Sequence, residues 1–384
     1  MKVIVQLTLV SSAIVAAFIA LLFSGQNDIF LKALGASTLF GFLSVVVLAM
    51  IWYERKLLAR IQMRIGPMRV GPFGILQTIA DAIKLVTKED LIPSETDKTL
   101  YWLAPIVVFV PSFVVWTVIP FTPSLVIQEM ELGLLFVLAC STLSIVGLIM
   151  AGWSSANKYS VLGALRSTAQ LISYEIPIIV TALTIAMLAD SLNLIEIVKA
   201  QSSVAYVLFQ PLGLALFFIA ALAELGRTPF DIYHAESELV GGPFVEYSGA
   251  HWSIFYLAEY FNTFLFATLV SLLFLGGWLG PWLPGIIWLF IKIFIVISII
   301  FWIRGTYPRL RIDQLMEVGW KGLVPLSFAN FVLTAVFIYY SWSLWILGFI
   351  GIASILLIMF TYKKRKISQP PEIILISSSE VRRV

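Results

Sequence analysis

From Gly322 to Tyr362 the chain runs for 41 residues without a charged side chain. About 20 apolar residues, rising 1.5 Å each, suffice to cross the hydrocarbon core of a bilayer. The tract therefore holds two spans or one long tilted helix, and the turn-prone "SWS" at its centre favours two, over 325–341 and 344–362. Further apolar stretches lie at about 3–23, 34–53, 102–121, 132–151, 176–190, 205–224, 257–275 and 286–303. The glycines and prolines of "GGWLGPWLPG" (276–285) favour a turn between the last two. Lipid satisfies no backbone polar group, so only helices and closed barrels cross it, and barrel strands would alternate apolar with polar residues. These stretches do not alternate. The expected fold is an all-α, polytopic transmembrane helical bundle of about ten spans.

Composition agrees: 60% of the residues are hydrophobic and 12% charged, about half the charged fraction of soluble domains. Lysines and arginines set the orientation, since they concentrate in cytoplasmic loops. With the N-terminus inside, 22 of them fall in inner segments, only Lys32 and Lys199 fall outside, and Lys292 lies within a span. This places both termini in the cytoplasm and supports splitting the last tract, because a single span would export "KKRK" (363–366). Residues 3–23 lack a clear cleavage site and carry a weak basic start, so they are expected to remain as a helix.

The single cysteine, Cys140, sits in an apolar run. One thiol forms no internal disulfide and holds neither an iron–sulfur cluster nor structural zinc. Two isolated histidines and no Gly-rich phosphate loop make a bound haem, metal or nucleotide an unexpected feature. No cofactor or metal is expected on this chain. If it serves a redox reaction, electrons arrive from a partner.

The polar content gathers in the inner loops. Ile75, Ile79, Ile83 and Val86 fall at helical spacing, with Gln77, Asp81, Lys84 and Lys88 on another face. This predicts an amphipathic cytoplasmic-side helix, suited to lie in the interface or to wall a cavity. Residues 223–247 hold Glu224, Asp231, Glu236, Glu238 and Glu246 against one arginine, Arg227, and one histidine, His234. Carboxylates in low dielectric take up protons near neutral pH, and neighbouring acids reinforce this, so such a row can relay protons. Glu175, Glu224 and Glu259 stand closest to hydrocarbon, where ionisable groups carry function by default. Pro177 is expected to bend or open the helix beside Glu175. Structural readings stand beside these: Glu224 and Arg227 as an ion pair closing a helix, Asp231 as a turn or cap, Glu236 and Glu238 as loop charges, and the arginines as topology signals.

Four segments carry a resemblance. They are "ERKLLARIQMRIGPMRVGPFGILQTIADAIKLVTKED", "LRSTAQLISYE", "AELGRTPFDIYHAESELVGGPFVEYSG" and "RGTYPRLRIDQLMEVGWKGLVP". In order and spacing they resemble the signature loops of one membrane component of respiratory complex I, called the H subunit or NADH dehydrogenase subunit 1, across roughly 36–330. More distant relatives serve membrane-bound hydrogenases and other quinone-linked complexes.

The resemblance implies a membrane subunit of a proton-pumping oxidoreductase in a prokaryotic cell membrane. Such a component carries no redox centre and is not catalytic alone. It would wall a quinone chamber reduced by an iron–sulfur cluster in a neighbouring subunit. Partners would be peripheral quinone-site subunits, small membrane subunits, antiporter-like subunits and lipid, with no nucleic acid. Residues 34–341 would form the shared domain, with 1–33 and 342–384 as an extra helix at each end, the last with a basic tail. Arg55, Arg64, Asp81, Lys84, Arg304, Arg309 and Asp313 would border the chamber or its interface, Asp313 holding an arginine. Glu175, Glu224, Asp231, His234, Glu236, Glu238, Glu246 and Glu259 would form the relay, with Arg166 and Arg227 as supporting charges. His234 stands where many members carry an acid, and Pro243 is a second departure. A hydrogenase-type complex and an ion-coupled transporter are the alternatives, though no inverted repeat supports the latter.

Overall fold

The computed structural model describes residues 27–232 and 240–368. Its helices are α1 (Asn27–Ile61), α2 (Gln77–Thr87), α3 (Lys98–Val114), α4 (Gly133–Ser154), α5 (Lys158–Ala189), α6 (Leu194–Ala200), α7 (Pro211–Glu224), α8 (Gly249–Leu273), α9 (Gly285–Thr306), α10 (Ile312–Glu317), α11 (Val324–Tyr339) and α12 (Leu344–Ser368). No strand appears among the described residues, as expected for an all-α bundle. Seven helical stretches are long and apolar enough to cross a membrane, and α7 and α12 add two shorter apolar helices. The expected first span, 3–23, lies outside the described residues.

The uncharged C-terminal tract does divide. Helix α11 ends at Tyr339, Ser341 turns at φ 52°, and α12 starts at Leu344. Elsewhere the helices depart from the apolar stretches that announced them. Helix α5 starts at Lys158, well before the stretch at 176–190, because its polar first half packs inside the bundle: Ser160, Ser167, Gln170 and Ser173 are all buried. Pro177 does not open this helix, which continues unbroken to Ala189. Conversely, the stretch at 205–224 is helical only from Pro211; the preceding residues turn instead, with Gln210 bonded to Thr334 and Asn330 of α11.

Helix α4 packs between α3 and α5 at close range. A Cβ on Gly147 would meet Val108 Cγ2 at 2.5 Å, and one on Gly152 would meet Ala164 Cβ at 2.2 Å. Small residues let helix backbones approach where lipid offers no hydrophobic drive to association. Helix α8 runs through the centre, buried over most of its length, and α1, α3, α7 and α9 contact it. Its N-terminal end packs beside α2, so whatever α8 carries there is positioned by the bundle.

Candidate functional site

Helix α1 outruns its apolar stretch. The residues after Tyr53, "ERKLLARI", are mostly strong helix formers, and the helix continues to Ile61. This carries Glu54 into the bundle, where it is 2% exposed. Three groups converge on it. Tyr260 of α8 donates to Glu54 Oε2 at 2.6 Å. Arg304, in the last turn of α9, bonds Glu54 Oε1, and Arg227 Nη1 stands 3.5 Å from the same oxygen. Arg227 Nη2 lies 3.1 Å from Glu259 Oε1, and its guanidinium sits 4.7 Å from the Tyr260 ring centroid. Two guanidinium groups thus meet two carboxylates. Such neutrality matters, because an unpaired charge at this depth costs several kcal/mol.

Around this cluster three cavities share walls. A crevice of about 670 Å³ runs between α1, α2 and α8, lined by Val47, Leu48, Ile51 and Leu85 and by Arg55 and Asp81. A polar chamber of about 560 Å³ is lined by Arg227, Asp231, Glu259, Arg304 and Arg309. A small cavity of about 60 Å³ holds Glu224 and Glu259 with Ser144, Phe255 and Asn262, room for a few waters. Trp252 and Tyr256 border all three, and Glu259 borders the last two. The spacing 252, 256, 259 is one face of α8.

At the crevice, Arg55 Nη1 donates to Asp81 Oδ2 at 2.5 Å and Gln77 donates to Oδ1 at 3.1 Å. Partial burial works to raise the Asp81 pKa, but the Arg55 and Gln77 hydrogen bonds prevail and hold it below the usual carboxylate range. In the chamber, Arg309 Nη2 donates to Asp231 Oδ2 at 2.9 Å. Tyr247, on the chamber wall, stacks on Tyr101 with ring centroids 4.2 Å apart. Burial pushes the Tyr247 phenol up to about 12.

The acids expected to form a row are partly brought together. Glu224 shares the small cavity with Glu259, its Oε2 sealed from solvent without a hydrogen-bond partner among the described residues, and Glu175 is buried on α5. Gln170 fixes that junction by donating to the carbonyls of Ala223 and Phe230 at 2.7 and 2.8 Å. Glu246 turns elsewhere, accepting from Asn157 at 2.6 Å. His234, Glu236 and Glu238 lie outside the described residues. Arg166 is half-buried on α5.

Two readings need correction. Arg227 does not serve as the i,i+3 partner that closes α7 on Glu224; it pairs with Glu54 and Glu259 on other helices. Asp313 is exposed in the first turn of α10 and holds no arginine among the described residues; Asp231 and Asp81 take that role. Arg64, expected at the chamber or its interface, is exposed, bonded to Gln62, and borders none of the three cavities, which leaves the interface as its place in that expectation. Lys84 does line the crevice, as does α2 itself through Thr78, Asp81 and Leu85, while Ile79 and Ile83 remain exposed. Sequence reasoning missed Glu54. Its signal was available: a lone acid continuing an apolar helix.

A family model described as NADH dehydrogenase matches residues 34–335. The H subunit of NADH-quinone oxidoreductase from Dehalococcoides mccartyi (strain CBDB1) is 52% identical over 297 residues, covering 77% of this chain and 84% of that one. The H subunit from Geobacillus kaustophilus (strain HTA426) is 52% identical over 304 residues, covering 77% and 91%. That from Bacillus thuringiensis (strain Al Hakam) is 50% identical over 301 residues, covering 77% and 89%. With the match running through all four signature segments, the chain belongs to the H-subunit family of respiratory complex I, as a multi-pass membrane protein.

Proposed function

We propose that this subunit walls the quinone chamber of an NADH-quinone oxidoreductase-like complex and couples quinone reduction to proton translocation. One observation carries the reading: one face of α8 links an apolar crevice, a charged chamber and a cavity holding Glu224, with Trp252 and Tyr256 bordering all three and Glu259 the last two. The crevice suits an apolar tail, since Val47, Leu48, Ile51 and Leu85 line it. The chamber suits a headgroup that gains negative charge, since Arg227, Arg304 and Arg309 face it. The chain's one cysteine cannot hold a cluster, so the electrons belong to a partner protein.

A new unit charge acts on a group 4 Å away with about 4 kcal/mol at an effective dielectric near 20. That is about three pKa units, enough to alter the protonation of a neighbouring acid. Charge arriving in the chamber therefore redistributes protons among Glu259, Glu224 and Glu175 with no electron carrier in this chain. Residues 34–341 supply this machinery; the segments 1–33 and 342–384 are additions at its ends. Both termini face the cytoplasm of a prokaryotic cell.

The test is photolabelling of the native complex with an azido-quinone. Adducts on 78–88 or 247–257, suppressed by excess quinone, support the reading. Specific adducts confined to other subunits oppose it.

A further inference from the structure

The chain's other histidine is in α8. His251 sits in the first turn of the helix, 6% exposed, and its Nδ1 lies 2.7 Å from Asp90 Oδ2 in the segment between α2 and α3. The contact is close in distance but off-line in angle, so Nδ1 makes no aligned hydrogen bond. A poorly aligned neutral bond contributes little, whereas attraction between imidazolium and carboxylate tolerates misalignment. The strength of this contact therefore follows the charge on His251.

Its surroundings make it a joint between elements. Ser248 Oγ accepts from Leu91 N at 3.1 Å and donates to Asp90 Oδ1 at 3.5 Å, beside the same carboxylate. Gly249 has φ +54°, and a Cβ there would meet Lys88 O at 3.2 Å, so the start of α8 is set against the end of α2. The Trp102 ring of α3 stands edge-on to His251 at 4.2 Å. The titratable groups that meet the imidazole are Asp90 from the α2–α3 segment and Tyr101 from α3; beyond Tyr101 lie Tyr247, stacked on its ring, and Glu246, whose backbone carbonyl accepts from its hydroxyl. Among the described residues Asp90 is the carboxylate in contact, because Glu246 is engaged by Asn157.

We infer that His251 and Asp90 are a positioning pair. They hold the first turn of α8 against the α2–α3 segment, and through it Trp252 and Tyr256, which border all three cavities. The inference rests on the chamber assignment above. Protonating His251 tightens the pair and keeps the shared wall in place; deprotonation loosens it. A change of charge on His251 therefore alters quinone affinity.

The experiment uses the assembled complex, checked on native gels, with KM for a short-chain quinone and kcat measured from pH 5 to 8. Where His251 loses its charge, KM for the wild type rises several-fold while kcat stays level after normalisation to a hydrophilic acceptor. His251→Gln fixes KM at the high-pH value throughout, His251→Lys fixes it at the low-pH value, and Asp90→Asn removes the dependence. Combining Asp90→Asn with His251→Gln adds nothing further. A His251→Gln complex that keeps the wild-type KM profile overturns the pair, as does equal behaviour of the Gln and Lys variants. If His251→Gln fails to assemble, the Lys and Asp90→Asn profiles decide by the same criteria. A wild-type complex that reduces no quinone would sink the chamber assignment instead, which separates the two failures.

Discussion

Arg227 Nη2 stands 3.1 Å from Glu259 Oε1, joining the segment after α7 to the cavity-facing side of α8. The same guanidinium faces Glu54 at 3.5 Å, and the Arg227 and Glu54 side chains are only 2% and 3% exposed. Removing one partner of a buried ion pair typically costs about 3–5 kcal/mol, because the other charge is stranded. Arg227→Met is therefore expected to lower the unfolding temperature of the complex and to reduce the amount of this protein in membranes. Arg227→Lys, which keeps the charge but loses the fork, should fall between. Thermal unfolding of purified complexes checks the order.

Asp81 makes a contrasting pH prediction. Its pKa is held below the carboxylate range by Arg55 and Gln77 despite partial burial. The sign follows: a depressed pKa gives stabilisation present above the unfolded value, near 3.8, and lost as pH falls through the folded value. From pH 5 to 8 Asp81 stays ionised. Asp81→Asn should therefore raise quinone KM by a constant factor over that range without bending its pH profile.

Helix α12 tests the packing. A Cβ on Gly348 would lie 2.2 Å from Leu208 O, whereas one on Gly322 meets nothing within 4 Å. Overpacking typically costs about 1–3 kcal/mol. Gly348→Val should lower the thermal midpoint of the complex, and Gly322→Ala should leave it unchanged.

Topology is open to labelling, because the one native cysteine, Cys140, is buried. Ser343→Cys, in the turn between α11 and α12, should react with a membrane-impermeant thiol reagent applied to intact cells. A cysteine placed after Lys366 should react only after permeabilisation. The reverse pattern would invert the orientation.

Most of the described spans were legible because each needs a long apolar run, and the turn at Ser341–Ser343 because 41 uncharged residues exceed one crossing. Legibility failed where tertiary packing decides. The first half of α5 reads as a polar loop, yet Ser160, Ser167 and Gln170 are buried against neighbouring helices. Local spacing joined Arg227 to Glu224 three residues away, while its partners are Glu54 and Glu259, distant in sequence. Glu54 was hidden by a boundary drawn at the end of the apolar run, and the His251–Asp90 contact spans 161 positions that no periodicity connects.

The central claim is that charge in the chamber reaches protons through Glu259 and Glu224. Its most direct test is proton translocation by the assembled complex in sealed vesicles, measured per quinone reduced, for Glu224→Gln and Glu259→Gln. Translocation should fall sharply in both while electron transfer to a hydrophilic acceptor persists. Full translocation by both fully assembled variants would contradict the claim.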